Sequence, residues 1–165
     1  MPTNIRKLSN RLDELQLGST NILSYKEIED DDYRREYEFD TSTNRYTLIL
    51  TQYPYDESSV DNNPWGYPEK TVLEIEFVTT NIKTGVQGDP ITRTNVNKGE
   101  PELLSVYSTI ADIVTDYVYE HNDIHQIRCY ADPTKTRIYS NLIKSNLAKM
   151  LPEFKLISPL TLEKT

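Results

Sequence analysis

Residues 99–157 read GEPELLSVYSTIADIVTDYVYEHNDIHQIRCYADPTKTRIYSNLIKSNLAKMLPEFKLI, and they constrain the fold more than any other part of the chain. Start signals, apolar period and stop signals all agree there. Glu100, Pro101 and Glu102 suit a helix's first turn, because proline fixes φ and two acids face the positive end of the dipole. Leu103, Val106, Tyr107, Ile110, Val114, Tyr117 and Val118 then predict a broad apolar helix face through about Tyr119, and Asn122 and Asp123 end it. A strand follows over 124–130, with Ile124, Ile127 and Cys129 pointing inward. Asp132-Pro133-Thr134 opens a second helix that buries Ile138, Tyr139, Leu142, Ile143 and Leu147 and keeps Lys135, Arg137, Lys144 and Lys149 mainly outside. Pro152 stops it, and Phe154, Leu156 and Ile157 form a last strand.

Upstream, Ile5, Leu8, Leu12 and Leu15 make the narrow stripe of a peripheral helix within 1–17, which docks on this domain's own sheet or on a neighbouring subunit. Residues 22–29 read as a first strand, and Glu29-Asp30-Asp31-Asp32 as a solvated turn. Tyr33, Arg35, Tyr37 and Phe39 alternate with charged residues. Beyond the turn 40–44, Tyr46, Leu48 and Leu50 alternate in the same way, so the pair is an antiparallel hairpin with one buried face. In the strand 71–79, Leu73, Ile75 and Phe77 face the core while Glu74 and Glu76 share the other face.

Two long loops remain. In 54–70, Trp65 and Tyr67 either fold back over the sheet edge or point outward as an interface anchor. The loop 80–98 has a length usual for functional or mobile segments, and a short strand over 91–95 is its alternative reading. Residues 158–165 form a tail without evident order. The sequence thus predicts one α/β (α+β mixed) domain over 1–165. An antiparallel N-terminal meander is followed by helix, strand, helix and strand on a central mixed sheet.

Charge narrows the functions. A net charge of −8 disfavours direct nucleic-acid binding and anionic membrane surfaces. Apolar runs are too short to span a bilayer, and the N-terminus carries no apolar signal core. A single cysteine, Cys129, points to a reducing cytosol or a particle assembled there. His121 and His125 are four apart around Asp123, but without a HExxH pattern no metal site is expected. Twelve tyrosines against three phenylalanines give the core and its margins aromatics with polar tips.

The element order resembles the GCN5-related N-acetyltransferase (GNAT) fold. The segments GEPELLSVYSTIADIV and IRCYADPTKTRIYSNLIKSNL resemble GNAT-like proteins of tailed bacteriophages, through Gly99, Ala131, Asp132, Arg137, Tyr139 and Leu142. In that family, as the resemblance implies, acyl-CoA phosphates rest on amides at a helix start reached through a Gln/Arg-x-x-Gly-x-Gly/Ala loop. Here Asn95-Val96-Asn97-Lys98-Gly99-Glu100-Pro101 keeps one glycine, loses an amide at Pro101 and sets carboxylates where phosphates belong. Lys98 and Gly99 are what remains of the cofactor site. Tyr139 matches the family's acid tyrosine, with Ile143 and Lys144 in place of its Gly-Phe step.

The resemblance and its departures imply a non-catalytic structural or adaptor component of a bacteriophage particle that needs no cofactor. Its partners are proteins or copies of itself, with Trp65 and Tyr67 at the interface, and it resides in the virion or in host cytoplasm before assembly. The alternative is a divergent acyl-CoA-dependent N-acyltransferase. It would use acetyl-CoA at Lys98 and Gly99, Glu74 or Glu76 as base, and Tyr139 as acid.

Overall fold

A computed structural model of the chain describes residues 22–31, 33–55, 70–85, 87–88, 101–130 and 135–165. The peripheral helix of 1–17, Trp65 and Tyr67, Lys98 and Gly99, the alternative strand at 91–95, and Ala131 to Thr134 lie outside the described residues.

The elements are β1 (Tyr25–Asp31), β2 (Arg34–Asp40), β3 (Asn44–Pro54), β4 (Thr71–Asn81), β5 (Gln87–Gly88), α1 (Leu103–Glu120), β6 (Ile124–Cys129), α2, β7 (Phe154–Ser158) and β8 (Thr161–Lys164). The helix α2 is α-helical over Thr136–Leu142, π-helical over Ile143–Leu147 and α-helical again over Ala148–Met150. The sheet is mixed and runs β1-β2-β3-β4-β6-β8-β7, with β5 also paired to β4. Among the described strands only β4 and β6 are parallel, joined by the α1 crossover.

The meander forms because its apolar alternation has period two. Tyr37 and Phe39 on β2, Tyr46, Leu48 and Leu50 on β3, and Leu73, Ile75 and Phe77 on β4 are all buried on one face. Burial of each such side chain contributes roughly 1.5–3 kcal/mol. Both helices pack into the same core cluster, through Val106, Ile110, Val114 and Tyr117 of α1 and Ile138, Tyr139, Leu142 and Leu147 of α2.

Four expectations need correction. The acidic run is not a turn, for Glu29, Asp30 and Asp31 lie in β1 opposite Glu36, Arg35 and Arg34. An edge strand needs no apolar face when charges pair across the hairpin, as Arg35 Nε does with Asp30 Oδ1 at 3.1 Å. The tail at 158–165 contains a strand: β8 inserts between β6 and β7 by burying Leu162, so β7 lies two places from β6. The loop 80–98 contains β5, which pairs Thr79 with Gly88 and Thr80 with Gln87. Finally, α1 starts at Leu103 and is buried beyond its apolar face, with Thr109, Asp112, Thr115 and Asp116 inside as well. The segment entering β1 covers part of that second side: Leu23 N donates to Thr109 Oγ1 at 2.9 Å, and the Tyr25 hydroxyl to Asp112 at 3.2 Å.

Candidate functional site

The parallel pair opens like a fork. β4 and β6 pair from Thr71 to Ile75, and Tyr130 N closes the run on Ile75 O at 2.8 Å. β4 continues to Asn81 without β6. A strand edge freed in this way presents an amide and a carbonyl at every second residue, and both require partners when buried.

At Phe77 the partners come from α2. The Phe77 amide donates to the Tyr139 hydroxyl at 3.1 Å, and Lys135 Nζ donates to the Phe77 carbonyl at 2.6 Å. Both are placed by the helix: residues four apart lie on one face, and Tyr139 N bonds Lys135 O at 3.0 Å. The Tyr139 ring meets Phe77 edge-on at 5.3 Å, and the Lys135 ammonium lies 5.1 Å over the Phe77 ring. Two residues further along, β5 takes over at Thr79. The outer edge of β4 is therefore occupied in turn by β6, by two α2 side chains and by β5.

Lys135 corrects the sequence reading. It was expected mainly outside and is only 9% exposed, whereas Arg137, Lys144 and Lys149 are exposed as expected. Tyr139 is fully buried on the apolar stripe. Glu74 and Glu76 are half-buried and alternate with Leu73, Ile75 and Phe77, so they project from the opposite face of β4. The sheet thus stands between the two carboxylates and the side of Phe77 on which Tyr139 packs.

Glu74 belongs to an outer-face cluster. It accepts from the Tyr53 hydroxyl at 3.3 Å and lies opposite Arg128, whose guanidinium sits 5.2 Å over the Tyr53 ring. Glu163 on β8 accepts from the Tyr55 hydroxyl at 2.9 Å and from Gln126 Nε2 at 3.2 Å. His125 meets the Tyr55 ring edge-on at 4.7 Å, while His121 stacks on Tyr117 at 4.0 Å. The two imidazoles serve different clusters, and among the described residues no three metal-ligating side chains converge. Cys129 is buried. Desolvation first, and the charge of Glu74 second, push its thiol well above the ordinary range, so it holds no thiolate for nucleophilic chemistry near neutrality.

One buried polar network carries no sequence motif. Gln52 Oε1 accepts from the Tyr117 hydroxyl at 2.8 Å, and Gln52 Nε2 donates to Thr71 Oγ1 at 2.8 Å and to Asp123 Oδ2 at 2.7 Å. The network ties β3 and β4 to the end of α1. Its signal was an amide in phase with Tyr46, Leu48 and Leu50, since a polar group at an inward position must have partners.

No protein-family description, no curated protein and no solved structure matches the chain. Among the described residues, no helix is long and apolar enough to cross a membrane.

Proposed function

We propose that the chain is a non-catalytic structural or adaptor component of a bacteriophage particle, built on a GNAT-like scaffold. The single observation that carries the non-catalytic part is the filled edge at Phe77. Any extended ligand chain laid along β4 in the fork between β4 and β6 would need the free amide and carbonyl of β4. Here Tyr139 and Lys135 already hold both. Tyr139, the residue matched to the family's acid, is spent on this bond and fully buried. Glu74 and Glu76, the bases of the alternative reading, face away from it across the sheet.

The scaffold reading is supported by the antiparallel meander β1 to β4, followed by α1, β6, α2 and β7 in one mixed sheet. The particle itself rests on the resemblance at Arg137, Tyr139 and Leu142 and at Gly99, Ala131 and Asp132.

Thermal unfolding with acetyl-CoA tests the choice against a divergent N-acyltransferase. A ligand at 100 times its Kd stabilises by about 2.7 kcal/mol. The expected outcome is no rise in Tm at millimolar acetyl-CoA. A rise together with turnover on an amine acceptor establishes the transferase instead.

A further inference from the structure

Among the described residues, β1 and β7 end the sheet with no further strand paired to them, and they carry unlike surfaces. On β1, every residue from Lys26 to Asp31 is exposed, and Glu27, Glu29, Asp30 and Asp31 form an acidic row whose charge Arg34 and Arg35 of β2 meet in part. On β7, every residue from Lys155 to Ser158 is exposed. There, Leu156 and Ile157 are 44% and 54% exposed, and Lys155, with Lys164 on the adjacent β8, supplies positive charge. An apolar edge strand is normally blunted by charge or cover, because its free amides and carbonyls are a template for another strand. β1 is blunted against itself by its acids; on β7 only Lys155 and the bulge at Ile157 oppose pairing, beside two exposed aliphatics.

Strand direction supplies a second constraint. Following the sheet from β1, neighbours are antiparallel except at β4 and β6, so β1 and β7 run in opposite directions. A second copy shifted sideways, with its helices on the same side, therefore meets β1 with β7 in antiparallel fashion, and the sheet continues. Each edge strand also carries one bulge, and the residue left over is an exposed isoleucine: Ile28 in β1 and Ile157 in β7. Both edges thus bend at an aliphatic side chain.

We infer that the partner of the β7 edge is the β1 edge of a second copy of this chain, added head to tail as an extra strand. Charge decides among the possible pairings. A β1–β1 contact opposes acid to acid, and a β7–β7 contact leaves the acidic row unused. The β7–β1 contact sets Lys155 against that row and covers the exposed aliphatics. Such a contact is heterologous, so it closes into a ring or runs on as a filament. The inference rests on the reading of the chain as an assembly component, whose surface and partner it names.

Analytical ultracentrifugation of the full chain tests it. Wild-type protein is expected to form oligomers beyond the dimer that dissociate as salt rises. L156E/I157E blocks β7 and I28K/E29K blocks β1, all at exposed positions, and each variant alone should be monomeric. Mixed one to one, they should form a dimer and nothing larger, since one intact edge of each kind remains. A wild-type chain that stays monomeric at the highest concentration overturns the inference, and so does dimerisation of I28K/E29K alone, which would mean β7–β7 pairing. Either result leaves an assembly role through a different protein standing. Acyl-CoA turnover would instead remove that role whatever the oligomeric state.

Discussion

The hydroxyl of Tyr139 accepts the amide of Phe77 at 3.1 Å, at a point on the sheet edge that no strand among the described residues covers. Tyr139→Phe keeps the ring, its 5.3 Å contact with Phe77 and its burial. It removes the hydroxyl, and with it the acceptor of the Phe77 amide. An unsatisfied buried amide costs about 1–3 kcal/mol, and urea unfolding should record a loss in that range. A loss well under about 0.5 kcal/mol would mean that water reaches the Phe77 amide and that the fork is open.

Gln52 is the hub of the polar network. Gln52→Leu strands the Tyr117 hydroxyl and removes one donor from Asp123, while Thr71 Oγ1 keeps its own bond to Asp123 Oδ2 at 3.2 Å. The expected cost is about 1–3 kcal/mol by chemical denaturation. Tyr117→Phe should cost less in the Gln52→Leu background than in wild type, because its partner is already gone. Additive losses would show that the two side chains act independently.

Burial pushes Tyr37 and Tyr117 up from the ordinary phenol value to about 12 each, with the Arg35 guanidinium offsetting part of the effect on both. A phenol whose folded pKa lies above its unfolded value stabilises the fold fully below about pH 10. That contribution is lost as pH climbs from there towards 12. Titration followed at 295 nm should therefore show a subset of tyrosines ionising late, together with loss of far-UV dichroism. If all tyrosines titrate near pH 10 with the fold intact, the burial of this pair is refuted.

Cys129 should resist thiol reagents in the native state, because its burial withholds the thiolate. Labelling with iodoacetamide at pH 8 should follow unfolding, rising in urea along the same curve as loss of tertiary structure. Rapid labelling without denaturant would place the thiol in solvent.

The meander and both helices were legible because their apolar periods are long and regular, as in Tyr46, Leu48 and Leu50 or in Ile138, Tyr139, Leu142 and Leu147. β8 was not legible: Thr161–Lys164 buries one residue, Leu162, and its place between β6 and β7 depends on strands distant in sequence. The acidic strand was hidden because Glu29 to Asp31 find their partners in Arg34 and Arg35 rather than in a core. At the candidate site, Tyr139 was legible as a buried tyrosine, but its use was not. The bond to Phe77 exists only because β4 outruns β6, and that difference in strand length has no local signal. Lys135 misled for the same reason: a lysine at a helix start reads as solvated until a bare carbonyl lies within its reach.

The position of β8 has a consequence for synthesis. As the chain leaves the ribosome, β6 emerges with one side zipped to β4 and the other bare. β7 is made next, yet β6 cannot use it, because the place beside β6 belongs to β8. Until Thr161–Lys164 have been made, β7 and the second side of β6 wait unpaired, and a nascent chain at this stage exposes two sticky edges. β8 locks the sheet, so pausing or truncation just before it should favour aggregation over a partly working fold.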